Sequence, residues 1–341
     1  MHFFITGHTG FKGAWLTLML RRLGHKVSGL ALKPLDGGLF SLANLETEME
    51  SQVIADIRDF EAVTRALQEA KPDFAIHMAA QPLVLRSYED PMETYTTNVD
   101  GTLNFLRAIS NLDKPPISLV VTTDKVYRDD NKGAYKESDA LGGYDPYSAS
   151  KAMADILTQS WISTNPHLKL YVARAGNVIG MFDVSENRLI PDITRALKSG
   201  GVLEIRNVDS VRPWQHVFDC LAGYLLLMVE ASSRKDLPRI FNFGPRPESI
   251  RTVGDLVSVA KSLNPTLATV QASASGAPKE TGFLALDSGR AEALLGWSNL
   301  ISFELGVQLS LQNLNSASPG EIACRQIESF LNLGDFTWIS S

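Results

Sequence analysis

Cysteine is scarce in this chain. Cys220 and Cys324 are the only two among 341 residues. They imply no disulfide framework, and a reducing cytoplasm is the natural expectation. No Cys or His pair has metal-ligand spacing, and the six histidines are dispersed, so no metal is expected. No run of five or six basic residues occurs, and the formal net charge is -6. A nucleic-acid surface is therefore not expected. Long apolar runs are missing too. The longest, Leu225 to Val229, cannot span a bilayer, and the opening apolar run is too short for a signal-peptide core. Internal repeats and low-complexity tracts are absent. With 44% hydrophobic and 21% charged residues, the composition is that of an ordinary soluble enzyme. The length allows one large domain, or one large and one small.

Strand-like and helix-like segments alternate over the first half. His2–Thr6 reads as a buried strand, and Phe11 to Leu23 as a helix with apolar residues at helical spacing. "HKVSGLAL", "SQVIAD", "DFAIHMA", "ISLVVTT" and "KLYVARA" read as further strands. Helices are expected from about Phe60 to Ala70, capped by Asp59, from Pro91 to about Asn111, and from Pro146 to about Thr164. This alternation means βαβ units: an α/β fold with a Rossmann-type doubly wound parallel sheet. Residues 1–176 are expected to form the dinucleotide-binding domain, with parts of about 213–243 returning to it. Residues 177–341 are expected to form mainly a smaller substrate-binding lobe. Helices are expected there at Leu189–Lys198, Val217–Ala231, Val253–Leu263 and Phe303–Asn313. Short strands are expected at Leu203–Arg206 and Ile240–Phe243, and a surface loop at Gln271–Gly282.

"HFFITGHTGFKG" places Gly7, Gly10 and Gly13 where the first strand turns into the first helix. A dinucleotide pyrophosphate can rest there, because the helix N-terminus offers free N–H groups and a favourable dipole. Gly7 allows the tight turn, Gly10 lets backbone approach the phosphates, and Gly13 lets the helix pack on the sheet. The acidic residue that commonly takes the ribose hydroxyls is not in place. Asp36 comes late, and Lys33 lies nearer the expected position and would tolerate a 2′-phosphate. NAD and NADP both stay open on this reading. "ADIRD" offers Asp56 and Ile57 to the adenine.

Catalytic groups follow. In "YDPYSASK", Tyr147 and Lys151 are four apart at a helix start and share a face. A phenol has a pKa of ~10. A neighbouring ammonium stabilises the phenolate and makes Tyr147 a base for a hydroxyl proton. "VVTTDKVY" brings Thr123, Asp124 and Lys125 to the end of the fifth strand, at the carboxyl edge where ligands bind. Tyr144 and Asn177 add polar groups. Arg206 and Arg212 suit a diphosphate, because guanidinium forks match phosphate oxygens.

With these motifs the chain resembles the extended short-chain dehydrogenase/reductase superfamily, and within it the CDP-glucose 4,6-dehydratases. The likeness rests on "TGHTGFKGAWL", "ADIRD", "HMAAQPLV", "ETYTTNVDGT", "TTDKVY", "GGYDPYSASK", "RAGNVIG", "RLIPDI" and "RPWQHV", which span most of the chain. It implies bound NAD, a nucleotide-diphosphate hexose such as CDP-glucose, and a homodimer built on "NVDGTLNFLRAIS" and "SASKAMADILTQSWI". Along the dinucleotide it implies Thr9, Phe11, Ala79, Ala80, Asn98 and Thr122, besides the glycines, Tyr147 and Lys151. It makes Tyr147 the C4 base, Lys151 its electrostatic partner, Thr123 a hydrogen-bonding hydroxyl, Asp124 the acid at the C6 hydroxyl, and Lys125 a candidate C5 base. Asn177, Arg188, Arg206 and Arg212 would contact sugar or diphosphate. Two stretches depart from the pattern. "MFDV" stands where the family tends to have "GGDW", and the loop after Tyr127 looks shortened. A nucleotide-sugar epimerase of the same fold is the alternative. It needs no acid at C6, and Asp124 favours the dehydratase.

Overall fold

The computed structural model describes residues 1–130, 133–271, 284–312 and 318–339. Seven parallel strands form its central sheet. From one edge to the other they are Ile240–Phe243, Leu170–Ala175, Ile117–Thr123, Phe74–His77, His2–Thr6, Lys26–Ala31 and Ser51–Ile54. The order reverses between His2–Thr6 and Phe74–His77, the topological switch point where doubly wound sheets bind ligands. In register, Thr6 is level with Leu30 on one side and His77 on the other.

Helices cover both faces. On one side Phe11–Arg22 buries Trp15, Leu16, Met19 and Leu20. They share a core with Val217, Phe218, Leu221 and Leu225 of the helix Val217–Ser233. On the other, Phe60–Ala70 and Gly101–Ser110 pack around Phe4, Val120 and Leu170. A separate cluster holds a smaller lobe together. It includes Ile190 and Ile193 from Leu189–Ser199, Leu256 and Val257 from Val253–Leu263, and Phe303 and Val307 from Phe303–Ser310.

The return of later residues to the sheet goes beyond 213–243. The helix Pro319–Leu331 also joins the large core, through Ile322, Ala323, Ile327 and Phe330. The continuous helix expected from Pro91 to about Asn111 is broken. Pro91–Tyr95 leads through a wide π-type turn, Thr96–Asp100, into Gly101–Ser110. The wide turn swings Asn98 inward, where it is buried. The helix begun at Phe303 ends at Ser310, and Asn313 lies outside the described residues. Gln271 ends the strand Ala268–Gln271, and the rest of the expected loop to Gly282 also lies outside them.

Candidate active site

The glycine turn is built by close contact. Gly7 has a positive φ of 79°, a conformation that costs glycine little. A Cβ on Gly13 would lie 2.1 Å from the Gly7 carbonyl oxygen. The following helix has no side-chain cap at Gly10, so no side chain claims its first-turn N–H groups. That bare, narrow turn at the switch point fits a dinucleotide pyrophosphate. Thr6 Oγ1 accepts from Met78 and Ala79 N–H (3.1 and 3.2 Å), which brings Ala79 and its neighbour Ala80 beside the glycines. Thr9 Oγ1 donates to Leu32 O at 2.9 Å, tying the turn to the second strand. Phe11 lies against Gly180. Lys33 and Asp36 are both exposed. Asp56 is held by Arg58, whose Nη2 donates to it at 2.6 Å. This pairing, led by the side-chain hydrogen bond, lowers the Asp56 pKa. Ile57 is buried against Gly101.

Two expected cofactor contacts spend their side chains inside the protein. Asn98 accepts from Gln81 N–H at 2.8 Å and donates to Gln81 O and Ser150 Oγ. It therefore clamps the loop after the fourth strand to the helix Pro146–Thr164. Thr122 donates to Asp155 at 2.9 Å. Asp155 in turn pairs with the fully buried Arg174 (2.8 Å), which reaches Tyr127 OH.

The catalytic candidates converge. Asp145 caps the helix Pro146–Thr164 by accepting from Ser148 N–H at 2.8 Å, and this sets Tyr147 in its first turn. Lys151, one turn on, is buried and donates to Val121 O at 2.9 Å. Its pKa is pushed down to about 8, first by burial and then by Lys12. The Tyr147 phenol is pushed up to about 12 by burial, with a Thr123 hydrogen bond and Arg188 acting the other way. The simple expectation of a phenol lowered by Lys151 is thus corrected. In the free chain burial dominates, and Thr123 and Arg188 are the groups that favour the phenolate. Thr123 Oγ1 donates to Asp124 Oδ1 at 2.8 Å. Asp124 is 1% exposed, and its Oδ2 has no hydrogen-bond partner among the described residues. Lys125 Nζ stands 3.8 Å from Asp124 Oδ1 and keeps 29% exposure.

The diphosphate candidates come from separate elements. Arg188 pairs with the nearly buried Asp183 (3.3 Å) and acts electrostatically on Tyr147 and Lys12. The divergent "MFDV" segment is pinned to the dinucleotide side, since Trp15 Nε1 donates to Met181 O at 2.9 Å and Val184 lies against Gly37. Phe182 there takes a left-handed φ of 65°. Asn177 O accepts from Gln215 N–H at 3.0 Å. Arg212, half-buried, lies on the short strand Val211–Pro213, and Arg206 is exposed. Tyr144 is 83% exposed on the turn before the catalytic helix.

Two residues inside the glycine motif escaped sequence reasoning. Lys12 donates to Tyr224 OH at 3.3 Å and sits close enough to act on Lys151. His8 is fully buried, in space left by Gly29, and meets Gln52 Oε1 at 3.2 Å. The signal was present: a charged and an aromatic side chain in a loop otherwise built to be bare.

The sheet order, the glycine turn at the switch point and the Tyr-x-x-x-Lys helix define a Rossmann-type member of the extended short-chain dehydrogenase/reductases. Within that class, the profile of the GDP-mannose 4,6 dehydratase family matches residues 4–309, and the chain belongs to this family. It is 41% identical over 307 residues to a CDP-glucose 4,6-dehydratase of Salmonella typhimurium, covering 86% of this chain and 85% of that protein. Among solved structures, it is similar in fold to the dTDP-glucose 4,6-dehydratase of Bacillus anthracis in complex with NAD. The TM-score is 0.76 at 22% identity, covering 92% of this chain and 96% of that one. The UDP-glucose 4-epimerase of Thermotoga maritima with UDP-glucose gives a TM-score of 0.77 at 22% identity, covering 92% and 98%. No helix among the described residues is long and apolar enough to cross a membrane.

Proposed function

We propose that the chain is an NAD-dependent nucleotide-sugar 4,6-dehydratase, a hydro-lyase converting CDP-D-glucose to CDP-4-dehydro-6-deoxy-D-glucose. The observation that carries this reading is the buried Asp124 beside Thr123, at the carboxyl end of the fifth strand. Dehydration needs an acid there, and 4-epimerisation does not. The 41% identity to a CDP-glucose 4,6-dehydratase supports the same substrate. The glycine cradle would hold the cofactor pyrophosphate, and Lys151 would reach the cofactor ribose. Bound NAD supplies hydride chemistry, removal from C4 and return to C6.

The residues divide the remaining work. Tyr147 takes the C4 hydroxyl proton. Lys151 holds positive charge under the site, and Thr123 orients the hydroxyl. The resulting 4-ketone acidifies the C5 proton. Asp124 gives a proton to the C6 hydroxyl, which leaves as water. Lys125, whose Nζ stands 3.8 Å from Asp124 Oδ1, takes the proton on C5 as the free amine. Arg188, Arg206, Arg212 and Asn177 hold the sugar diphosphate, with Tyr144 at the exposed rim. We place the protein in the cytoplasm as a homodimer. The helix Pro146–Thr164 presents Met153 and Ile156, 48% and 52% exposed, as an apolar stripe suited to an isologous contact.

Mass analysis of the product from CDP-glucose tests the reading. Loss of water is expected. Unchanged mass with inversion at C4 would establish an epimerase instead.

A further inference from the structure

The turn that carries Asp124 and Lys125 is gripped at both ends by one buried ion pair. Asp155 and Arg174 are fully buried and meet at 2.8 Å. Thr122, before the turn, donates to Asp155 Oδ2 at 2.9 Å. Tyr127, after it, accepts from Arg174 Nη1 at 2.8 Å. Between them lie Thr123 and the short helical turn Asp124–Val126. The Tyr127 hydroxyl donates its own hydrogen to Asn242 Oδ1 at 2.7 Å, so it is held as acceptor and as donor. The Tyr127 N–H donates to Asp124 O at 3.3 Å, which ties this residue directly to the acid.

The same ion pair rides on the catalytic helix. Asp155 follows Lys151 by one turn of Pro146–Thr164 and shares its face. Lys151 donates to Val121 O, and Asp155 accepts from Thr122, so successive helix turns hold successive strand residues. The sheet adds a further hold at this end, with Thr122 level with Arg174 and Thr123 level with Ala175. Past Thr123 the strand ends. Bonds from Arg128 N–H to Ala140 O and from Gly142 N–H to Val126 O tie the far end to the loop that follows. The Tyr127 hydroxyl ties it back to the helix, through Arg174 and Asp155.

We propose that Tyr127 is a positioning residue for elimination: its hydroxyl sets where Asp124 and Lys125 stand relative to the helix of Tyr147 and Lys151. The assignment rests on the dehydratase reading, in which oxidation uses Tyr147, Lys151 and Thr123, and elimination uses Asp124 and Lys125. The oxidation groups sit on the helix and at the firmly held end of the segment. The elimination groups lie beyond that end, on the part that the Tyr127 hydroxyl ties down. Loss of this hydroxyl therefore separates the two steps. A tyrosine that only fills the core would lose stability with its hydroxyl and leave the ratio of the two rates unchanged. The ring itself has other support, stacked on Tyr135 with centroids 5.1 Å apart.

The test compares wild type, Tyr127→Phe, Asn242→Ala, Asp124→Asn and the Tyr127→Phe/Asp124→Asn double variant, each loaded with NAD and mixed rapidly with CDP-glucose. Near-ultraviolet absorbance reports cofactor reduction, and quenched-flow mass analysis reports water loss. Tyr127→Phe keeps the ring and the ion pair. It is expected to reduce cofactor at close to the wild-type rate and to lose water roughly 10- to 10²-fold more slowly, the scale of a misplacement of up to about 1 Å. Reduced cofactor then accumulates. Asn242→Ala removes the acceptor of the Tyr127 hydroxyl while Asp155 and Arg174 stay paired. It is expected to slow the same step, and it carries the test if Tyr127→Phe does not fold. The double variant slows water loss by less than the product of the two single effects, because Tyr127 acts through a turn whose acid is already disabled. Water loss at the wild-type rate in the folded variants would overturn the assignment, as would equal slowing of both steps or multiplied losses in the double variant. A wild-type chain that yields product of unchanged mass rejects the dehydratase reading itself, a result distinct from any of these.

Discussion

Lys12 donates a hydrogen bond to the Tyr224 hydroxyl across 3.3 Å, joining the glycine turn to the helix Val217–Ser233. The same cation is the second cause, after burial, of the low pKa of Lys151. Like charges disfavour each other's ionised form. Lys151, at about 8, loses its proton as pH rises through that value. Removing the Lys12 charge raises the Lys151 pKa. Lys12→Met is therefore expected to move the alkaline limb of kcat/KM to higher pH, measured across a pH series at saturating NAD. A limb that stays in place or moves to lower pH would show that the two lysines are not coupled.

Tyr147 is expected to be indispensable through its oxygen alone. The ring packs in the site, while the phenol meets Thr123 and feels Arg188. Tyr147→Phe should lower turnover by about 10² to 10⁴ or more and leave NAD affinity nearly unchanged. Stopped-flow turnover with an equilibrium titration of NAD checks both halves. Near wild-type turnover would remove Tyr147 from the mechanism.

These groups differ in how visible they were in the sequence, and the reason is range. The helix Pro146–Thr164 was legible with its ends, because Pro146 and Asp145 form a local start signal and Tyr147 and Lys151 share a turn. The strands of the sheet were legible from short apolar runs. Pro319–Leu331 carried a readable start as well, Ser318 and Glu321 forming a capping box with Pro319 in the first turn. Its return to the large core is set by packing against distant elements, which its own residues do not state. The partners of Asn98, Thr122 and Lys12 could not be read. Asn98 finds Ser150 at a separation of 52 residues, and Lys12 finds Tyr224 at 212. Such pairs are fixed by sheet order and helix packing, which no local pattern states.

Gly13 is required by space rather than by backbone angle. An added Cβ would meet Gly7 O at 2.1 Å and His8 Cα at 2.7 Å. Both are backbone atoms, so the first helix must lift from the turn. Overpacking of this kind costs about 1–3 kcal/mol. Gly13→Ala should lose stability of that order in urea unfolding and bind NAD more weakly. Stability and NAD affinity both at wild-type level would contradict the assigned role of this turn.

The proposed homodimer places Ile156 and Met153 in an apolar contact between copies. Ile156→Glu would set like charges opposite each other across a two-fold axis and desolvate both. The expected outcome is a monomer by light scattering at micromolar concentration, where wild type gives twice the chain mass. Wild type running at the monomer mass would refute the interface.

The last expectation concerns acid and His77. Thr6 Oγ1 accepts from two backbone N–H groups, so its own proton goes to His77 Nδ1 at 2.8 Å. His77 Nε2 then carries the ring proton and donates to Thr102 Oγ1 at 3.1 Å. The neutral ring is satisfied at both nitrogens, and a second proton would force a donor against a donor. Burial, followed by Lys151, pushes the His77 pKa down to about 3. Burial does the same to His216. An unfolded histidine titrates near ~6.5, so between that pH and about 3 the unfolded chain binds the extra proton. The stabilisation is complete above the unfolded value and is lost as pH falls, by about 1.4 kcal/mol per pH unit for each histidine. Asp219, pushed up to about 7 by burial, works in the opposite direction over much of this window. The difference between two proteins is therefore the useful measure. His77→Asn should be less stable than wild type at neutral pH, and the gap should narrow by about 1 kcal/mol per unit as pH falls below the histidine range. Urea unfolding at closely spaced pH values reads this directly. A gap that stays constant with pH would mean that His77 is already able to ionise in the folded protein.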